Sequence, residues 1–226
     1  MYKFVSYFYA LCFSSVVLSQ TQIEINSFEQ TNADTWTLIT FSTPPCTNEA
    51  DQWDYATILT SISPNHLNQF WGIRDLDGSC GSGAGETLTF PSINTSAYTN
   101  ISISFDYNLF EFDTGDDLFY TLIINGVSQN EVQLFDGFSN LSTNGWITET
   151  LNIPNGTNTV GFQIRVVQNG GGDYGGIDNV RLEGVLTASC FIQDSGLSSV
   201  TCNDNATPLD FSDDFITFSL NQMETI

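Results

Sequence analysis

Positive charge is nearly missing from this chain: four Lys and Arg stand against 26 Asp and Glu, for a formal net charge of −22. Lys3 lies in the opening apolar segment, so the rest keeps three arginines (Arg74, Arg165 and Arg181) beside all 26 acids, net −23. Nucleic-acid affinity comes largely from Lys and Arg displacing phosphate counterions, so nucleic-acid partners are excluded. The balance favours divalent cations and salt-rich water, although plain solvation accounts for most of the acids. Histidine is reduced to His66, after Ser63-Pro64-Asn65 in an apparent turn, which leaves neither a His-based metal site nor a nucleophilic triad. No CxxC pair and no helical stripe occur. The glycines at 170–172 and 175–176 lack the strand–turn–helix frame of a phosphate loop.

Long apolar runs are absent beyond the first nineteen residues. There, Lys3 precedes an apolar stretch that closes on small residues around Ser19, the three-part pattern of a cleavable secretory signal. No stop-transfer segment follows, so no membrane span is expected and the product is secreted or displayed at the cell surface. Cys12 lacks a lipid-attachment context and leaves with the signal. Four cysteines remain, and in an exported chain Cys46–Cys80 and Cys190–Cys202 are the economical pairing among three possibilities. Asn-x-Ser/Thr sites at Asn94, Asn100, Asn140, Asn155 and Asn205 agree with export and show nothing more.

What is present is a two-residue hydrophobic rhythm in a chain that is 41% hydrophobic and 13% aromatic. Ile101, Ile103, Phe105 and Tyr107 alternate with Ser102, Ser104, Asp106 and Asn108, which puts one face in a core and the other in water. Val160, Phe162, Ile164 and Val166 repeat the pattern. Between them a run from Leu118 reaches Asn125-Gly126 and Val127, a hairpin signal because both turn positions need positive φ. Further strands are expected over 22–28, 35–41, 55–61, 69–75, 86–90, 146–153 and 176–183. About ten short strands predict an all-β, two-sheet antiparallel jelly-roll sandwich. The expected organisation is a signal peptide over 1–19, the sandwich over 20–185, and over 186–226 a truncated β appendage that opens a second sandwich.

Three features in order carry a resemblance: Ser27-Phe28-Glu29 with Trp36 soon after, Ile103-Ser-Phe-Asp-Tyr107, and Gly172-Asp-Tyr-Gly-Gly-Ile-Asp-Asn-Val-Arg-Leu182. Over residues 23 to 185 they resemble the MAM-like and laminarin-binding-like (concanavalin A-like) jelly rolls of exported surface proteins. The tail from Cys190 resembles the start of an Ig-like repeat in large exported bacterial proteins. The first resemblance implies that the first and last strands meet and that Glu29 and Asp178 share a structural calcium. Calcium takes six to eight oxygens, so Asp77 and Asp54 are added as candidate ligands. The plainer alternative is that Glu29 and Asp178 cap strand ends and accept turn N–H bonds.

Glu111, Asp113 and Asp116 resemble the Glu-x-Asp-x-x-Glu strand of laminarinase-type glucanases, but Asp116 is one methylene short and Gly115 favours a turn. No catalytic residue is assigned. Among the aromatic residues, Trp36, Trp71 and Trp146 sit in strand-like runs and read as core, whereas Trp53 and Tyr174 lie in polar contexts and are the candidates for stacking on a sugar. The expectation is a non-catalytic recognition or adhesion module that binds a glycan or a cell-surface protein within a larger multidomain polypeptide. The alternatives are a structural spacer and, less favoured, a glucan hydrolase.

Overall fold

The computed structural model describes residues 20–38, 46–47, 51–78, 85–187, 197–203 and 215–220. They contain fourteen strands: β1 (Thr21–Asn26), β2 (Cys46–Thr47), β3 (Gln52–Ala56), β4 (Phe70–Arg74), β5 (Glu86–Asn94), β6 (Tyr98–Phe110), β7 (Asp117–Ile124), β8 (Val127–Ser128), β9 (Val132–Asp136), β10 (Ile147–Asn152), β11 (Thr159–Val167), β12 (Tyr174–Leu186), β13 (Leu197–Asn203) and β14 (Phe215–Leu220). Among the described residues no helix is long and apolar enough to cross a membrane.

Two antiparallel sheets form the sandwich. The first runs β10-β6-β12-β4-β3-β2, with β1 also paired to β12, and the second runs β5-β11-β7-β8, with β9 also paired to β7. Strand β12 is the hub of the first sheet. Its whole length pairs with β6, while its other edge takes β4 over residues 174–177 and β1 over residues 180–184. The first and last strands of the jelly roll therefore lie side by side, Asn26 opposite Val180.

The alternation read along β6 and β11 builds the core. Ile103, Phe105 and Leu109 face Phe162, Ile164 and Val166, all without exposure, and the Phe105 and Phe162 rings stand 5.4 Å apart. Trp36 packs on Phe90 at 5.1 Å and its indole N–H donates to the Pro91 carbonyl at 2.9 Å. The hairpin forms as expected: Asn125 and Gly126 adopt φ of 51° and 77° between β7 and β8.

Three expectations are revised. Residues 35–38 are not strand, and 39–41 lie outside the described residues. The strand expected over 55–61 sits earlier, as β3, and the chain then leaves the sheet. The polar face of β6 is not open to water, for Asp106 is only 2% exposed; the segment 57–69 folds back over the outer face of the first sheet and its Asn65 donates to that carboxylate. Residues 1–19, Cys80 and Cys190 lie outside the described residues.

The chain divides into two compact units at Leu186 and Thr187. The second contains the antiparallel pair β13–β14, with Val200 opposite Phe218.

Candidate functional site

The outer face of the first sheet carries a second hydrophobic cluster of Ala56, Leu59, Ile62, Phe70 and Tyr174, with Phe110 and Trp146 packed against it. Glycine at 176 makes this possible: a Cβ there would come within 2.7 Å of the Phe70 ring and 2.9 Å of Trp146. Tyr174 and Phe110 are cross-strand partners, and their rings stack at 4.6 Å and 21°. Phe70 meets Trp146 edge-on at 5.7 Å.

Beside this cluster opens a cavity of about 260 Å³, lined by Ser61, Ile62, Asn108, Leu109, Phe110, Ser142, Asn144 and Gly145. Strand β6 makes its floor, and the segments 57–69 and 137–146 make its walls. The second wall is fixed to β6 because Thr143 N–H donates to the Leu109 carbonyl at 2.9 Å and Leu109 N–H donates to the Thr143 hydroxyl at 3.0 Å. The Ser142 hydroxyl accepts from Glu111 N–H at 2.9 Å, which leaves its own proton to give to a ligand. No lining residue carries a charge.

The first wall is held by carboxylates. Glu29 Oε1 accepts the N–H groups of Asn68 at 2.6 Å and Gln69 at 2.7 Å. Its flanking residues Phe28 and Gln30 both take left-handed backbone, φ 58° and 55°, a strained state for Phe28 that its buried packing on Tyr55 and Trp71 offsets. Asp178 Oδ2 accepts Asn65 N–H at 3.0 Å and His66 N–H at 2.9 Å. Its cross-strand partner Asp106 accepts from Asn65 Nδ2 at 2.8 Å, Asn179 Nδ2 at 3.1 Å and the Thr148 hydroxyl. A bulge in β12 after Asp178, with Asn179 at φ 54°, turns both of these side chains toward Asp106. Asp178 has no exposure, and its Oδ1 has no hydrogen-bond partner. Burial pushes its carboxyl up to about 7 against the pull of the loop N–H groups, and the Asp106 charge adds to the rise.

The expected residues do not all converge. Among the described residues, the one set of three or more metal-binding side chains within 4.8 Å is Asp113, Asp116 and Asp173, so Glu29, Asp54, Asp77 and Asp178 form no common cage. Asp54 accepts the neighbouring Tyr55 N–H at 2.8 Å, and Asp77 accepts Gly170 N–H in another loop. Trp53 is not a stacking surface. It lies in β3 with 2% exposure, edge-on to Trp71 at 5.4 Å, because alternation along β3 turns it into the sandwich. Tyr174 is also buried, but under the cavity, where its hydroxyl shares a 2.6 Å hydrogen bond with Ser61. Cys46 and Cys202 lie in β2 and β13.

Glu111, Asp113 and Asp116 do not continue a strand into a cleft. β6 ends at Phe110, and Glu111 takes φ 56°. Asp116 is fully buried, its oxygens accepting Asn169 N–H at 2.8 Å and Asp113 N–H at 3.0 Å. The triad missed in the sequence forms because the loop before β12 brings Asp173 to this turn. Burial, followed by the charges of Asp116 and Asp113, pushes the Asp173 carboxyl up to about 7.

No protein-family model matches the chain, and no curated protein does. Among solved structures it is similar to a CBM61 carbohydrate-binding module in complex with β-1,4-galactotriose, at 13% identity and a TM-score of 0.40, over 65% of this chain and 86% of that one. The K1 cleaved adhesin domain of Lys-gingipain from Porphyromonas gingivalis W83 is similar at 14% identity and a TM-score of 0.40, over 74% and 98%. A carbohydrate-binding module CBM36, in complex with calcium and xylotriose, is similar at 12% identity and a TM-score of 0.34, over 73% and 98%.

Proposed function

We propose that the sandwich is a non-catalytic recognition module, exported as part of a larger surface or secreted polypeptide, that binds one uncharged sugar ring of a glycan in the cavity on β6. The observation that carries this reading is the lining itself. Hydroxyl and amide groups from Ser61, Asn108, Ser142 and Asn144 surround an apolar floor that includes Phe110, the mixture a pyranose needs for its polar edges and its C–H face. At about 260 Å³ the cavity falls just below the range of drug-sized sites, roughly 300 Å³ and up. One ring fits that space better than a chain laid full length.

Charge narrows the ligand. A carboxylate or sulfate entering the cavity would lose water without meeting a cation. The three arginines are engaged elsewhere: Arg165 with Glu131 at 2.6 Å, Arg74 with the Gly171 carbonyl and Arg181 with Asn179. Neutral sugars escape that cost, and those whose axial or equatorial hydroxyls reach the two amides are selected.

A structural calcium beside the first wall would draw on Glu29 and Asp178 as its only carboxylates, since among the described residues three acids converge only at Asp113, Asp116 and Asp173. One oxygen each of Glu29 and Asp178 is spent on the loop, while Asp178 Oδ1 is buried and unpartnered and Glu29 Oε2 has only a long 3.4 Å contact from Asn68 Nδ2. A bound calcium would supply the missing positive charge there, with backbone carbonyls completing its oxygens.

A glycan array of neutral and anionic oligosaccharides, probed with the chain in calcium and in EDTA, tests the reading. Retention of neutral glycans supports it. Retention of none, with capture of a protein partner instead, would make the module a protein adhesin, and inertness in both would make it a spacer.

A further inference from the structure

The cavity has one wall that is not fixed to β6 by backbone hydrogen bonds of its own. That wall, segment 57–69, crosses the outer face of the first sheet and is attached at points spread over the whole fold. Ser61 is joined to Tyr174 of β12. The Ser63 carbonyl accepts the Trp146 indole N–H at 2.9 Å. The two strongest attachments are the paired main-chain donors, Asn65 and His66 to Asp178 and Asn68 and Gln69 to Glu29. Ahead of them, an internal turn joins Leu59 to Ile62 by reciprocal backbone bonds at 3.0 and 2.8 Å, and those two side chains are buried on the aromatic cluster. Outside the turn, Ile58 and Leu67 are 65% and 68% exposed, so burial holds only the middle of the segment.

From this arrangement we infer that Glu29 and Asp178 are positioning residues for the ligand cavity: by taking four consecutive-pair N–H groups they seat segment 57–69 as a strap, and the strap's Ser61 and Ile62 exist as a wall only while it is seated. The inference rests on the glycan reading for its ligand but not for its geometry. Neither carboxylate lines the cavity, so their effect on binding is indirect. Hydrogen bonds to ionised acceptors are about twice as strong as neutral ones, and the two to Glu29 together with the two to Asp178 hold a short segment whose exposed parts gain little from packing. Glu29 follows the first strand and Asp178 lies in the last, so the wall is tied to the closure of the jelly roll itself.

The test uses the full chain, 15N-labelled, in EDTA so that loss of a bound cation is not what is read. Glu29→Ala removes two acceptors from a side chain that touches only the strap. We expect faster hydrogen exchange at the amides of Asn68 and Gln69 and at the Trp146 indole, unchanged exchange at Phe105 and Phe162, and an affinity for the retained neutral oligosaccharide lowered by about tenfold or more. Glu29→Gln, which keeps a carbonyl acceptor, recovers part of the loss. Should Glu29→Ala fail to fold, Glu29→Gln is read alone, with a smaller rise in exchange at Asn68 and Gln69 and a smaller loss of affinity. Wild-type affinity with a released strap overturns the inference, as does a strap whose exchange does not change. A wild-type chain that binds no glycan defeats the proposed function instead; the strap is then decided by the Trp146 indole, whose release supports the positioning role and whose constancy overturns it.

Discussion

One side chain of this protein reverses its expected role, and the reason is alternation. Trp53 follows a polar stretch, Asn48-Glu-Ala-Asp-Gln52, which suggests a loop, yet position 53 of β3 points into the sandwich and its ring meets Trp71. Trp53→Ala is expected to cost about 3–5 kcal/mol of stability, as large-to-small core changes do, read as a lower thermal midpoint. Asn144 has no such signal in the sequence, being one of many Asn-Gly pairs, and the fold makes it a cavity residue. Asn144 holds left-handed backbone, φ 57°, so Asn144→Gly, which tolerates that state, should leave the midpoint within about 0.5 kcal/mol of wild type and weaken oligosaccharide binding in calorimetry. Opposite results for the two substitutions would return recognition to Trp53. Gly176 belongs with them, since the close approach of Phe70 and Trp146 requires its missing Cβ. Gly176→Ala is expected to lower both the midpoint and the affinity, because it displaces the rings beneath the cavity.

Elements set by local pattern were legible, and elements set by distant partners were not. Strands β6 and β11 follow from period-two alternation, and the β7–β8 hairpin follows from Asn125-Gly126. At Gly126, φ is 77° and a Cβ would meet nothing within 4 Å, so Gly126→Val isolates the backbone cost of the left-handed state, about 1–2 kcal/mol, measurable by denaturant unfolding. Segment 57–69 was illegible because, beyond the Leu59–Ile62 turn, its structure is made by distant partners. Its donors find acceptors 39 to 113 residues away, and the buried carboxylate of Asp106 is tolerable only because Asn65, Thr148 and Asn179 reach it from three other places. The Asp178 bulge leaves only a faint trace: two polar residues, Asp178 and Asn179, stand between the buried Ile177 and Val180 where strict alternation has one, and the register against β6 shifts there.

At the scale of the whole molecule, net charge and closure dominate. Removing positive charge from a sandwich with buried carboxylates makes its stability depend on pH in an unusual direction. Asp173 and Asp178 both titrate near 7 in the folded chain against an ordinary value of 3.8, so the fold binds their protons more tightly than the unfolded chain does. Stability therefore rises as the pH falls from about 7 toward 4 and is lost as it rises through 7. Thermal unfolding in EDTA should show a higher midpoint at pH 5 than at pH 8, and Asp173→Asn should flatten that slope by removing one of the two charges. Added calcium should raise the pH 8 midpoint, if Glu29 and Asp178 hold the ion; an unchanged melting curve on chelation removes it. The overall negative charge was readable from composition and the closing of first strand on last was implied by the resemblance to jelly rolls, whereas the position of the cavity depended on where two long segments crossed the outer face.

The most direct measurement is a 1H–15N titration of the labelled chain with a neutral oligosaccharide retained on the array. The account predicts shift changes confined to the amides of residues 61–62, 108–110 and 142–145. Changes centred instead on the Asp113, Asp116 and Asp173 turn, or on the outer face of the second sheet, would contradict it.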